Sequence, residues 1–323
     1  MKNVIIRNAV YTDIPQLVSL RILFLCEKYG VYTVKDNSNL QRQVEIYFQM
    51  NINNANEIII AEIDEYIIGV FCVSYLQLLP SMSPDTERSA YLIFEFIKQE
   101  FKMEKIREKL FEYSIKCAKK KNATVYEEEV FATEFLRYEK KGFIKSPFPL
   151  LRLFLSKKNK QNHMKIGDVN ITFRKAKMDD ISELIEFRVK FLAEVLGEQE
   201  VLIREALSER LKVYLEEYLN DWLEVFVAED EKKIAGVIFV IYYEKIPEIG
   251  IPNGKVGLPV NFFIQPCYRK TNLSRYLFDF SIQSAFEQEV KLFEMTIPKE
   301  SIHFFNKLGF EQMKEVPIQL FLT

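Results

Sequence analysis

Two series of apolar patterns run along the chain, and they have the same order. The first opens with a short strand pattern from Val4 to Ala9. A helical pattern follows, with Asp13 in its first turn and a stop at Gly30, and a second helix spans Gln41 to Met50. Two strands, Glu57 to Glu62 and Tyr66 to Tyr75, meet at a turn at Asp64 and Glu65, and a fourth strand spans Ser89 to Ile97. Next comes a long amphipathic helix with Leu110, Phe111, Ser114, Ile115 and Ala118 on one face. A fifth strand from Thr124 to Val130, a short helix ending at Gly142 and Phe143, and a last strand from Phe148 to Leu155 are expected to close the half.

The second series repeats the first at an offset of 167 residues. Its strand runs from Asn170 to Ala176, and its first helix carries Asp179 and Asp180 and stops at Gly197. A second helix spans Arg204 to Leu219. Strands from Glu224 to Glu229 and Ile234 to Tyr243 follow, then a tight turn at Asn253 and Gly254 and a strand from Val256 to Ile264. The long helix repeats its stripe as Leu277, Phe278, Ser281, Ile282 and Ala285. The strand Lys291 to Ile297, the ending Gly309 and Phe310, and a last strand from Ile318 to Leu322 complete the copy. Individual residues recur in register: Arg7 as Arg174, Arg21 as Arg188, Pro80 as Pro247. A period this long means a duplicated domain, since solenoid units are much shorter. The predicted division is residues 1–155, a polar basic linker over 156–168, and 169–323.

Composition narrows the picture. The 323 residues are 48% apolar, with 27 Phe and 16 Tyr, as expected of compact domains. A net charge of -2 gives no electrostatic reason to expect a nucleic acid partner. Cys26, Cys72, Cys117 and Cys267 form no CxxC and read as core thiols of a reducing compartment. Two histidines, His163 and His303, do not make a His-rich metal site, and no metal is expected. No apolar run is long enough to span a membrane and the start resembles no signal peptide, so no membrane partner and a cytoplasmic location are expected.

The order strand, two helices, three strands, long helix, strand, short helix, strand resembles the GNAT N-acetyltransferase superfamily. The segments Ile6 to Ala9 with Asp13, Thr172 to Ala176 with Asp180, and the two Gly-Phe endings carry the resemblance. It implies an α/β fold of two tandem GNAT-like acyl-CoA N-acyltransferase domains, each a mostly antiparallel mixed sheet flanked by helices. It also implies acetyl-CoA as cofactor. In such proteins the fourth strand pairs with the pantetheine arm, and the turn into the long helix points backbone N–H groups at the pyrophosphate. A helix start suits an anion because its donors are unpaired, and small residues let the phosphates approach.

Carried onto this chain, the resemblance marks Phe263, Ile264, Arg269, Lys270, Thr271, Asn272, Leu273 and Ser274 as cofactor-binding, with Asn306 as a further candidate. Arg269 stands at the first motif position, and Asn272 and Ser274 replace the small residues. In the first half, Lys102 takes the arginine position, while Lys105 and Arg107 fall where small residues belong. The family's general-acid tyrosine corresponds to Tyr138 in the first half, catalytic only if that half is active, and to Phe305 in the second. Phe cannot donate a proton. Glu95 and His303 are candidates for taking the proton of the amine, Asn261 and Phe262 occupy the region of Glu95 in the second half, and the recurring Glu57, Glu62, Glu224 and Glu229 read as scaffold.

The expected activity is transfer of an acetyl group from acetyl-CoA, held in the second half, to the amine of a small molecule or peptide. The alternative is a non-catalytic protein of the same fold, acting as an acyl-CoA sensor or interaction module, because neither copy carries loop and tyrosine together.

Overall fold

The computed structural model describes residues 4–54, 56–82, 87–101, 105–158, 161–197, 199–231 and 233–322. The first series folds as β1 (Ile5–Asn8), α1 (Ile14–Tyr29), α2 (Val31–Asp36), α3 (Leu40–Asn51), β2 (Glu57–Ile63), β3 (Tyr66–Gln77), β4 (Arg88–Ile97), α4 (Ile106–Lys120), β5 (Val125–Phe131), α5 (Phe135–Glu139), β6 (Ile144–Lys145) and β7 (Leu150–Phe154). The second folds as β8 (His163–Ile166), β9 (Val169–Lys175), α6 (Ile181–Leu196), α7 (Glu200–Tyr218), β10 (Leu223–Asp230), β11 (Lys233–Glu244), β12 (Lys255–Ile264), α8 (Leu273–Glu287), β13 (Leu292–Thr296), α9 (Ile302–Lys307), β14 (Glu311–Gln312) and β15 (Glu315–Phe321). The expected elements are present. The short helix α2 was not legible in the apolar pattern, and part of the expected linker is the edge strand β8, hairpinned onto β9.

Two mixed sheets result, in the orders β1-β2-β3-β4-β5-β15-β6 and β14-β7-β13-β12-β11-β10-β9-β8. This corrects one expectation. Each last strand closes the other half: β15 pairs with β5, and β7 pairs with β13. The two strands descend from one repeat and offer the same backbone donors, so pattern alone cannot choose between them. The exchange is keyed by equivalent side chains. Arg152 lies opposite Glu294 and donates to it at 3.1 Å, while Gln319 lies opposite Glu127 and donates to it at 2.7 Å.

Sheet alternation assigns the faces. In the second half Val225, Val227, Val237 and Phe239 pack against α6 and α7, while Phe226, Ala228, Ile238 and Val240 pack against α8. The predicted stripe of α8 is buried throughout. Its polar member Ser281 donates to the carbonyl of Phe278 at 2.8 Å, as Ser114 does to Phe111 in α4.

The recurring charged residues are scaffold. Arg7 pairs with Asp13 and Glu62 at 2.7 and 2.6 Å, and Arg174 with Asp180 and Glu229 at 2.7 and 2.5 Å. Glu224 is held by Lys175, Tyr242 and Gln288. Gly142 and Gly309 take φ of +90° and +98° after their helices, the left-handed region expected there. Gly254 has φ +72°, and a Cβ on it would stand 2.1 Å from the carbonyl oxygen of Lys245, so the turn admits no side chain. Cys72 and Cys117 are buried as expected and Cys26 is half-buried. Cys267 is exposed, because it sits in the loop before α8 and not on an apolar face. Among the described residues no helix is long and apolar enough to cross a membrane, and no group of His, Cys, Asp and Glu is placed to hold a metal ion.

Candidate cofactor and acceptor site

β12 and β13 run parallel only at Val256–Leu292 and Gly257–Phe293, then part. The cause lies in β12. Its ladder to β11 slips at Val260, which is left over between Asn261 and Pro259. A bulge bends its strand, and the neighbouring proline has no N–H to give a ladder. β4 slips at the equivalent Ile93.

The gap opens into a cavity of about 620 Å3 that reaches from α6 on one face to α8 and α9 on the other. The N–H of Gln265 donates to Ala235 in β11 at 2.9 Å. Alternation therefore turns the N–H of Phe263 toward β11, and those of Phe262 and Ile264 toward the open edge. At the start of α8 Asn272 gives no side-chain cap, and only the N–H of Leu273 is taken, by Thr271. Unpaired donors and the positive end of a helix macrodipole thus sit at the cavity wall beside Ser274.

The sequence candidates separate in space. Phe263, Ile264, Arg269 and Ser274 line the cavity. Arg269 is anchored beside it: its Nε donates to the carbonyl of Ile264 at 2.9 Å, its guanidinium pairs with Glu194 at 2.5 Å, and it lies over the Phe263 ring. Thr271 shapes the turn, donating to the carbonyl of Tyr268 and accepting from the N–H of Leu273, which is fully buried. Lys270 is exposed, and Asn272 faces a separate surface hollow beside Lys158. Asn272 has φ -79°, so the turn does not use the left-handed tolerance of asparagine. Asn306 and His303 are exposed on α9 outside the cavity wall, since the helix turns Phe304 and Phe305 inward instead.

In the first half a cavity of about 460 Å3 lies at the same place, walled by Arg21, Phe94, Glu95 and Glu128, but its α4 end is closed. Lys102 lies outside the described residues, and Lys105 is exposed before α4. Arg107 turns inward and is buried, pairing with Glu95 at 2.7 Å and Glu128 at 3.1 Å. Tyr138 accepts a hydrogen bond from Arg107 and donates one to Glu128 at 2.5 Å. Burial and the two carboxylates push the Tyr138 phenol well up, so it stays protonated and engaged. Burial, reinforced by Glu95, pushes Glu128 up to about 8. At the offset of 167, Glu95, Arg107, Glu128 and Tyr138 become Phe262, Ser274, Met295 and Phe305. All four of these line the second-half cavity. There Phe262 stacks on Phe304 and packs edge-on to Phe278.

A second cavity of about 350 Å3 lies between the halves and meets the first along Arg188, Pro259, Val260, Met295 and Thr296. Its wall carries Glu127, Glu128, Glu129 and Glu294. Glu294 accepts from Arg152, Lys245 and Tyr243, and Glu129 from Arg152 and Tyr91. Burial draws Lys245 down to about 8.

Sequence reasoning did not mark Arg188 as a site residue, although its recurrence as Arg21 was visible. Each arginine reaches into the other half. Arg21 donates to the carbonyls of Ile246 and Pro247, and Arg188 to that of Pro80, so the recurring prolines are their targets. Only Arg188 also lines the cavity pair.

Residues 192–319 match the family model described as an acetyltransferase (GNAT) domain. No curated protein sequence matches the chain. Among solved structures, a GCN5-related N-acetyltransferase from Sphaerobacter thermophilus aligns at TM-score 0.55 and 12% identity, over 99% of this chain and 96% of that one. A tandem GNAT protein from the clavulanic acid biosynthesis pathway aligns at TM-score 0.54 and 12% identity, over 99% of both chains. The GCN5-related glucosamine N-acetyltransferase region of a fungal multi-domain GH3 β-N-acetylglucosaminidase aligns at TM-score 0.57 and 9% identity, over 99% of this chain and 38% of that one. Identities this low speak to the fold, and the two full-length alignments extend it over both halves. The second half thus carries a GNAT acetyltransferase domain over residues 192–319, and the fold of tandem GNAT proteins extends over both halves.

Proposed function

We propose that the chain is an acetyl-CoA-dependent N-acetyltransferase whose cofactor lies in the second-half unit, residues 169–323 completed by β7, and whose first-half unit, residues 1–155 completed by β15, is a structural partner. One observation carries this reading: Arg107, Glu128 and Tyr138, with the partly exposed Glu95, plug the α4 end of the first-half cavity, and their equivalents in the second half are apolar and small residues lining a cavity that reaches the start of α8.

The cavity suits acetyl-CoA on its own terms. Beyond the N–H of Leu273, the start of α8 offers N–H donors to phosphate, Ser274 leaves room for it, and the open edge of β12 offers N–H groups to an extended arm. Acetyl-CoA, when bound, supplies the thioester carbonyl that a neutral amine attacks, a C–N bond replacing the C–S bond as the CoA thiol leaves. The N–H groups of Ile264 and Phe262 are positioned to meet the negative charge on the carbonyl oxygen. Phe305 has no proton to give, so water protonates the leaving sulfur. Arg269, braced by Glu194 and Ile264, fixes the turn beside Ser274. The acceptor enters from the cavity between the halves, where Glu127 is a carboxylate with no cationic partner among the described residues.

Isothermal titration of acetyl-CoA into the full chain tests the reading, with one site expected. Absence of heat and of any thermal stabilisation at millimolar ligand overturns it and favours an interaction module instead. A binding heat without thioester turnover over a broad amine panel favours the sensor.

A further inference from the structure

The two recurring arginines differ in what surrounds them. Arg21 donates to the carbonyls of Ile246 and Pro247, lies 4.6 Å from the Phe94 ring centre, and has the Glu248 carboxylate 3.6 Å away. At the offset of 167, Phe94 becomes Asn261 and Glu248 becomes Ser81. Arg188 accordingly donates to the carbonyl of Pro80 and to Oδ1 of Asn261, each at 3.2 Å, and pairs with no carboxylate among the described residues. The Nε of Arg188 and the Nδ2 of Asn261 are buried donors without a partner. The two residues are 6% and 2% exposed, and both line the larger cavity. The nearest acid on that wall, Glu194, is occupied by Arg269.

We propose that Arg188 and Asn261 form an anion subsite for the acceptor, and that the acceptor is an amine that also bears a carboxylate, as an amino acid does. The inference rests on the reading that the second half holds acetyl-CoA. Charge selects the ligand class. A buried guanidinium with no counter-ion among the described residues takes one negative charge, and a planar carboxylate fits its fork while its second oxygen accepts from Nδ2 of Asn261. A phosphate dianion would bring more charge than one arginine balances. Burial lowers Arg188 only to about 10, so it is charged at neutral pH. The first half needs no such ligand, because Glu248 already supplies the charge to Arg21.

The test compares the twenty L-amino acids and a series of ω-amino acids with their primary amides. Melting temperature with each probe, and CoA release with acetyl-CoA present, are read on the full chain. At least one acid is expected to stabilise the protein and to outperform its amide by about tenfold or more. Arg188→Met should abolish that preference. Ser81→Glu, which copies the first-half arrangement, should remove it while raising the melting temperature, and so separates ligand loss from misfolding. Equal effects of acids and amides, or an acid preference that survives Ser81→Glu, overturn the proposal. Acetyl-CoA titrated into the same proteins keeps the two readings apart. Intact acetyl-CoA binding without acid preference sinks only the subsite, whereas absent acetyl-CoA binding with acid preference intact sinks only the cofactor assignment.

Discussion

At the start of α4 the first half places Arg107, and at the start of α8 the second places Ser274. The backbones around them are alike, with the same bulge in the preceding strand and the same parting of strands beyond it. Arg107 brings its own counter-ions, Glu95 and Glu128, and the phenol of Tyr138 closes the group. In the second half all four are replaced together, and the cavity that stops short of α4 in the first half reaches the start of α8 in the second. A single arginine facing the gap would be an uncompensated buried charge. Changing one member of such a set is costly, so the four change as a unit. The tyrosine that by resemblance looked like a general acid is, in this chain, part of the plug.

Four experiments bear on that contrast, in order of decreasing effect. Residues 1–158 alone lack β15 and leave the edge of β5 unpaired, so we expect no cooperative unfolding transition from this fragment by circular dichroism. A stable fragment would mean the halves are energetically separate. Ser274→Arg carries the first-half residue into the open site without its partners. Acetyl-CoA affinity by calorimetry should fall on the order of 100-fold, about 2.7 kcal/mol, and unchanged affinity would move the cofactor elsewhere. Arg107→Met leaves Glu95 and Glu128 without their cation and should cost about 3–5 kcal/mol in urea denaturation. Adding Glu128→Gln should restore part of it, and a cost near zero would show that the plug is not a coupled unit. Tyr138→Phe copies the second half at one position. It should cost about 1–2 kcal/mol of stability for the lost hydrogen bonds and leave turnover within about twofold. A large loss of turnover with little loss of stability would return the catalytic role to the first half.

Much of the fold was legible because periodicity reports it directly. The stripe of Leu277, Phe278, Ser281, Ile282 and Ala285 could only be one face of a helix, and the glycine before Phe310 could only end one. The turn before α8 was legible in part. Ser274 and Arg269 line the cavity, but Asn272 of the same turn and Asn306 of α9 face away. Which side of a turn a residue faces depends on the packing of that turn, and spacing does not carry it. Arg188 was legible only as a repeated letter. Its meaning depends on Pro80, Asn261 and Ser81, which lie far from it in sequence.

The sequence by itself determined a duplicated α/β unit, the family of that unit, and which copy lost its small residues at the helix start. These follow from local rules, since alternation, helical spacing and a fixed offset need no knowledge of what lies across the core. The tertiary structure alone decided that each half borrows its last strand from the other, that Arg107 turns inward onto Glu95 and Glu128, and that Arg188 is a buried cation with no carboxylate among the described residues. Equivalent strands compete for one slot, and a charged side chain takes its role from the partners that reach it. Both are settled only when distant parts of the chain meet.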